Sequence, residues 1–316
     1  MEYPFYKNYY KLDKKDIKKL IENYTPVIYH NIPDNLKKYQ LTKYGKEYFI
    51  IKENYLNTYI INNLTDYFSE KVRIKCRFGN NISLFDYWEK NKEKIINNSL
   101  KKYGKNNIYH LRETIFYHNI KGCNNFRITV ALTILNFFKV KTWLDISAGW
   151  GDRLLSAIFH KVKLYVSCDP NLELHPCYQS IINTFITPSK KKNFIIYPNG
   201  FLEAPIEHNN FDVVFTSPPF FTLEKYSNYN ENSITKFKNE KEWCDNFFVK
   251  SLIKAYNHLK KDGHMILYMG GSDFVMKKMF TLSNIMEYKG IIYFYEKNPR
   301  SIYVWKKLKD SVINSL

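Results

Sequence analysis

The stretch Phe211-Asp212-Val213-Val214-Phe215-Thr216-Ser217-Pro218-Pro219-Phe220-Phe221 joins a short apolar run to two consecutive prolines. Residues 211–216 have the composition of a strand that is buried in a parallel sheet. The prolines end such a strand and fix its backbone, which leaves the carbonyls of Ser217 and Pro218 to accept hydrogen bonds from another group. A polar residue, two prolines and an aromatic ring placed there can hold a planar group that carries an NH2. A loop that merely ends the strand is the alternative.

A second segment, residues 142–153, predicts a strand, a turn that contains Gly149 and Gly151, and then a helix. Glycines in such a turn let the backbone approach a ligand closely. Asp145 lies at the end of the predicted strand, where a carboxylate suits a ligand with a positive group. Asp169 ends the next apolar run, 20 residues after Gly149, which is the spacing at which a strand-end carboxylate holds ribose hydroxyls.

With these two segments in this order, the chain resembles the class I S-adenosylmethionine-dependent methyltransferases that modify adenine N6 or cytosine N4. The family motif (Asp/Asn/Ser)-Pro-Pro-(Tyr/Phe/Trp) matches residues 217–220, and its acidic, glycine-rich cofactor loop corresponds to residues 145–151, where Ser147 replaces the first glycine. The chain also looks like DNA-methylase-like proteins of large DNA viruses and phages. The resemblance covers residues 111–316.

The resemblance implies S-adenosylmethionine as the cofactor and assigns roles to residues that match the family pattern. The residues implied to hold or organise the cofactor are Phe126, Asp145, Ser147, Gly149, Gly151, Asp169, Pro170, Gly200 and Phe201. The catalytic pocket implied for the flipped base consists of Ser217, Pro218, Pro219 and Phe220. For Phe126 and Phe201, plain core packing is the alternative, and for Asp145 the contact with the cofactor is direct or through water.

The alternation of segments from residue 111 onward predicts an α/β fold. Predicted strands are residues 142–146, 163–168, 194–198, 211–216, 264–269, 290–296 and 301–306, with helices between most of them. The last two strands predict a hairpin. We therefore expect a Rossmann-like class I methyltransferase domain over residues 111–316, with a mostly parallel seven-stranded sheet and an antiparallel edge hairpin. Residues 1–110 are predicted to form a basic N-terminal extension of mixed structure.

A net charge of +18 and a pI near 9.4 favour a polyanionic partner. Only six of the 48 basic residues are arginines. Each arginine is therefore a candidate for a contact that needs the planar guanidinium group, such as one with nucleic acid or cofactor, with a structural ion pair as the default. The five cysteines have no metal-ligand spacing, and no metal site is predicted. No apolar run is long enough to span a membrane, so we expect a soluble, intracellular protein.

Within the N-terminal extension, Arg73, Lys75 and Arg77 recur at period two. On a strand they would form a row of cations that binds phosphates, with a solvated edge strand as the alternative. Beyond the proline motif, Phe221 and Tyr226 are further candidate contacts to nucleic acid, and Phe221 is equally a candidate for the core.

Three functions remain open on the sequence. A nucleic-acid amino-methyltransferase is favoured, with DNA ahead of RNA and with adenine and cytosine both open. The second is a methyltransferase that acts on a protein glutamine or asparagine amide. The third is an inactive relative that serves as a nucleic-acid-binding subunit, against which the intact Asp145, Asp169 and Ser217 argue.

Overall fold

The computed structural model describes residues 2–29, 47–52, 55–117, 120–219, 221, 224–226, 233–294 and 301–316. Its strands are β1 (Val27–Tyr29), β2 (Glu47–Lys52), β3 (Arg77–Phe78), β4 (Thr142–Asp145), β5 (Leu164–Cys168), β6 (Phe194–Tyr197), β7 (Phe211–Thr216), β8 (Glu224–Lys225), β9 (Leu259–Tyr268), β10 (Met286–Phe294) and β11 (Ser301–Lys307).

The helices are α1 (Tyr6–Tyr9), α2 (Lys14–Glu22), α3 (Tyr55–Asn63), α4 (Asp66–Arg73), α5 (Leu84–Tyr103), α6 (Ile108–Tyr117), α7 (Ile128–Phe137), α8 (Asp152–His160), α9 (His175–Phe185), α10 (Ser233–Lys236), α11 (Glu240–Trp243), α12 (Val249–His258) and α13 (Asp273–Phe280). A π-helical turn, Cys244–Phe248, joins α11 to α12. None of the helices in the described residues is both long enough and apolar enough to cross a membrane.

The main sheet has the strand order β1-β2-β10-β11-β9-β7-β4-β5-β6. Strands β6, β5, β4, β7 and β9 run parallel, and β11 is antiparallel to both β9 and β10. This confirms the predicted seven-stranded, mostly parallel sheet with an antiparallel hairpin. Strand β2 pairs in parallel with β10, and β1 pairs with β2, so the N-terminal residues extend the same sheet to nine strands.

The sheet is buried on both faces because the central strands place apolar side chains on both of them. Along β7, the side chains of Val213 and Phe215 belong to one core cluster, whereas Val214 belongs to the other. Helices α7, α8 and α9 contribute to the first cluster, and α12 and α13 contribute to the second. This three-layer packing brings the carboxyl ends of β4, β5 and β7 to one edge of the sheet.

The predicted strand over residues 72–78 is wrong. The chain is helical in α4 (Asp66–Arg73), and only Arg77 and Phe78 form a strand, which pairs with β8 in a separate two-stranded sheet. Helix formation is favoured because Asp66, Glu70 and Arg73 then lie on one face of the helix, where they form ion pairs in the interior.

Candidate active site

The turn between β4 and α8 is shaped by two glycines with positive φ, +61° at Gly149 and +104° at Gly151. Residues with a Cβ rarely adopt such angles. The backbone N–H of Gly149 donates to Oδ2 of Asp169 at 3.1 Å, and the N–H of Ala148 donates to the carbonyl of Cys168 at 2.8 Å. These bonds fasten the turn to the carboxyl end of β5. The contact of Asp169 with ribose hydroxyls stays a prediction.

Asp169 follows β5 and keeps a small exposed fraction, 8%. Its second carboxylate oxygen, Oδ1, accepts from the N–H of Asn171 at 2.9 Å. Burial raises the pKa of Asp169 to about 6, against the lowering effect of the two backbone donors. Pro170 is half-buried beside it. A carboxylate so held has lone pairs left for hydroxyl groups of a ligand.

The proline motif lies at the end of β7, next to this turn. Ser147 Oγ donates to the carbonyl of Ser217 at 2.8 Å. The expectation that this carbonyl is left for another group is therefore wrong in part, because one donor already occupies it. Ser217 and Pro219 are half-buried and Pro218 is buried. Phe220, the fourth residue of the motif, lies outside the described residues.

Of the two contacts expected for Asp145, direct or through water, the direct one does not fit the structure. Its side chain is completely buried. Oδ2 accepts from Arg153 Nε at 2.8 Å and from the hydroxyl of Tyr165 at 2.9 Å, and Oδ1 accepts from the N–H of Ser147 at 3.3 Å. Burial raises the pKa of Asp145, and the Arg153 guanidinium opposes that rise. Arg153 also donates to the carbonyl of Ser147. The Asp145 carboxylate and Arg153 therefore stabilise the turn from the interior of the protein.

Phe126 lies at the carboxyl edge of the sheet, and its role beside the cofactor stays a prediction. Its half-buried ring meets Phe215 and Tyr268 edge to face, with centroid distances of 5.7 and 5.3 Å. The Arg153 guanidinium lies 5.7 Å from the same ring. The ring therefore packs against the ends of β7 and β9.

Phe201 was expected either at the adenine edge or in the core, and the structure places it in the core. It is 1% exposed, and the ammonium group of Lys254 lies 5.2 Å from its ring. The same ammonium donates to the carbonyl of Phe201 at 2.8 Å. Its apolar ring is better buried under β6 and β7 than offered to a ligand. Gly200, which precedes it, is half-buried, and its cofactor role stays a prediction.

Arg73 cannot bind nucleic acid, because it is 5% exposed and each nitrogen of its guanidinium donates to an acceptor within the protein. Its Nε and Nη2 donate to Asp66 Oδ1 at 3.0 and 2.7 Å, and Nη1 donates to the carbonyl of Cys123 at 2.8 Å. Arg112 completes the cluster through Glu70. The predicted row of cations is therefore replaced by a buried ion cluster that supports residues 123–126.

The other residues predicted to contact nucleic acid are Arg77, Phe221 and Tyr226. Arg77 is exposed on β3 and lies 3.8 Å from Asp86. Phe221 is half-buried against Trp243, which favours its alternative as a core residue. The ring of Tyr226 packs 5.8 Å from that of Trp150, in the turn between β4 and α8.

Asp152 and Thr65 also lie in this region, although no sequence pattern predicted a role for them here. Asp152, at the start of α8, is buried and accepts from the hydroxyl of Thr65 and, at 3.2 Å, from the N–H of Phe126. Burial raises the pKa of Asp152 to about 7. Thr65 and Asp152 are 87 residues apart, so their contact follows only from the tertiary fold. The pair ties the N-terminal helices to the turn and to Phe126.

Comparisons with known proteins find no matching family model and no matching curated protein. Among solved structures, the chain is similar to a methyltransferase from Pyrococcus furiosus, with 16% identity, 58% of this chain and 84% of that chain covered, and a TM-score of 0.41.

A putative RNA methyltransferase from Pyrococcus horikoshii is 12% identical over 58% of this chain and 83% of that chain, with a TM-score of 0.39. A SAM-dependent O-methyltransferase from Thermotoga maritima is 12% identical over 62% and 71% of the two chains, also with a TM-score of 0.39. The strand order and the antiparallel β11 identify the fold as the Rossmann-like methyltransferase type.

Proposed function

We propose that the protein is an S-adenosylmethionine-dependent methyltransferase that modifies an exocyclic amino group of a nucleic-acid base, most favourably in DNA. The observation that supports this best is the bond from Ser147 Oγ to the Ser217 carbonyl at 2.8 Å. It joins the glycine turn directly to the proline motif. Methyl donor and amino acceptor must meet within about 3 Å, and this edge of the sheet offers a site for each.

The residues of the turn suit a nucleoside cofactor. Gly149 keeps the backbone bare of a side chain where the methionine part would lie, and Gly151 lets the turn pack closely against Ile181. Asp169 offers carboxylate lone pairs to ribose hydroxyls. The Nδ2 of Asn171 is buried and has no acceptor among the described residues, while its Oδ1 accepts from the N–H of Glu173 at 3.1 Å. Such an orphaned donor suits an acceptor atom on the ribose or the adenine.

The chain has to position the acceptor rather than activate it. S-adenosylmethionine, when bound, supplies a methyl group that is already activated by a sulfonium centre. Ser217 Oγ and the Pro218 carbonyl would accept the two N–H bonds of the target amine, which orients its lone pair and disperses developing positive charge. Phe220 would stack on the base. Because a paired base cannot reach the pocket, the target is flipped or single-stranded.

The preference for nucleic acid is supported by charge. The chain carries a formal net charge of +18, which attracts a phosphate backbone at long range. DNA is the first substrate we propose and RNA the second, and adenine N6 and cytosine N4 are both acceptors of the required chemistry.

The test is a methyl-transfer assay on duplex DNA, single-stranded DNA, RNA and a glutamine-containing peptide. The nucleic-acid products are digested to nucleosides and identified by mass spectrometry, with Pro218→Ala as the blank. We expect N6-methyladenine or N4-methylcytosine, in the deoxy or ribo form, from the wild type alone. Methylated glutamine would move the assignment to the protein amide alternative. Absence of any methylated product would overturn the proposed function.

A further inference from the structure

A short ribbon next to the crevice pairs the segment after the proline motif with the N-terminal part of the chain. Strands β3 and β8 are antiparallel, and Arg77 is directly opposite Lys225, with Phe78 opposite Glu224. We call these four residues, 77–78 and 224–225, the β3–β8 ribbon. It joins two parts of the sequence that lie almost 150 residues apart.

The ribbon lies close to the crevice on two independent grounds. Lys225 is six residues beyond Pro219, so the chain can separate their Cα atoms by at most about 21 Å. The next residue, Tyr226, packs its ring 5.8 Å from Trp150, between the two glycines of the cofactor turn. Its carbonyl accepts from the thiol of Cys76 at 2.6 Å, which fixes β8 against the start of β3.

The two cations of the ribbon repel each other. Side chains directly opposite on antiparallel strands have Cβ atoms about 4.5–5.5 Å apart, and like charges in that position destabilise the pair. Arg77 is 56% exposed at its side chain and has Asp86 at 3.8 Å, a distance too long for a hydrogen bond. Among the described residues, the carboxylates near the two cations are Asp86 and Glu224, which stands opposite Phe78 on the ribbon itself. The exposed pair of Arg77 with Asp86 contributes little.

We propose that Arg77 and Lys225 together bind one backbone phosphate of the nucleic-acid strand beside the flipped base. A phosphodiester provides two anionic oxygens, which suit the fork of an arginine and the ammonium group of a lysine at once. The repulsion across the ribbon is then relieved in the complex. The contact sets the register of the strand over the crevice and does not read the base. This inference rests on the proposed function.

The test measures binding of a fluorescently labelled single-stranded DNA across a series of salt concentrations. The variants are Arg77→Gln, Lys225→Gln and the double variant. The matched control is Lys163→Gln with Lys261→Gln, which removes two exposed lysines at the opposite, amino-terminal edge of the sheet. Each lost phosphate contact reduces the magnitude of the negative slope of log K against log salt by about 0.7 for a single strand.

We expect the double variant to lose about 0.7 from the magnitude of the slope, because the two cations bind a single phosphate. The control variant should keep the wild-type slope. Arg77→Lys should retain most of the slope. Asp86→Asn should strengthen binding, because it removes the carboxylate that competes for Arg77. Affinity for S-adenosylmethionine should be the same in all of these variants.

Failure of the phosphate contact and failure of the proposed function give different results. If the wild type binds and methylates DNA while the double variant keeps the wild-type slope, the phosphate contact is wrong and the proposed function stands. If the wild type binds no polynucleotide and yields no methylated nucleoside, the proposed function fails and the phosphate contact fails with it.

Discussion

Replacement of Gly151 by alanine tests whether the cofactor turn has the conformation described. Gly151 has φ +104°, and a Cβ added there would lie 2.8 Å from Cδ1 of Ile181. Ile181 is fully buried on α9, so its Cδ1 has to shift within the packed interior. Backbone strain of about 1–3 kcal/mol adds to overpacking of about 1–3 kcal/mol. We therefore expect Gly151→Ala to lower the free energy of unfolding by about 2–6 kcal/mol.

Gly104→Ala is the matched control, because Gly104 has φ +70° but no atom within 4 Å of the added Cβ. It should lose only the strain, about 1–3 kcal/mol. Equilibrium urea unfolding followed by tryptophan fluorescence measures both variants. If Gly151→Ala is no more destabilised than Gly104→Ala, then Ile181 does not pack against the turn, and the assignment of this turn as a rigid ligand cradle is refuted.

Three further results are expected. Because burial raises the pKa of Asp152 to about 7, the folded chain binds more protons than the unfolded chain between about pH 4 and 7. Rising pH therefore lowers stability in this window by up to about 1.4 kcal/mol per unit. Asp152→Asn should lack this component in urea unfolding at several pH values. Affinity for S-adenosylmethionine, measured by calorimetry, should fall as pH drops below about 6, where Asp169 becomes protonated and can no longer accept from two hydroxyls. Arg73→Ala should cost about 3–5 kcal/mol in urea unfolding, because it leaves buried Asp66 without its partner; a stable variant with weaker DNA binding would instead restore the predicted row of cations.

The C-terminal two thirds of the fold could be predicted because its signals are local. Apolar runs such as residues 211–216 are strands in any parallel sheet, and the glycines at 149 and 151 mark the turn that follows β4. The strand-end positions of Asp169 and Ser217 follow from the same pattern. The strand pattern does not reveal which polar atoms form hydrogen bonds within the protein. For that reason a direct contact of Asp145 with the cofactor was one of the two expected alternatives.

The N-terminal part could not be predicted because its structure depends on distant partners. Arg73 alternates with Arg77 as on a strand, yet its helix is stabilised by ion pairs with Asp66 and, through Glu70, with Arg112. A local signal did exist for α5, since Ser83 caps its start and Gly104 ends it with φ +70°. A stricter search for helix ends would have found that helix from the sequence.

We infer that the cofactor and the amino acceptor bind side by side, at the ends of different strands. Calorimetric titration of S-adenosylmethionine into the wild type, Asp169→Ala and Pro218→Ala tests this inference. We expect the wild type and Pro218→Ala to bind the cofactor with similar affinity and Asp169→Ala to lose most of its affinity. Equal binding by Asp169→Ala, or no binding by the wild type, would contradict it.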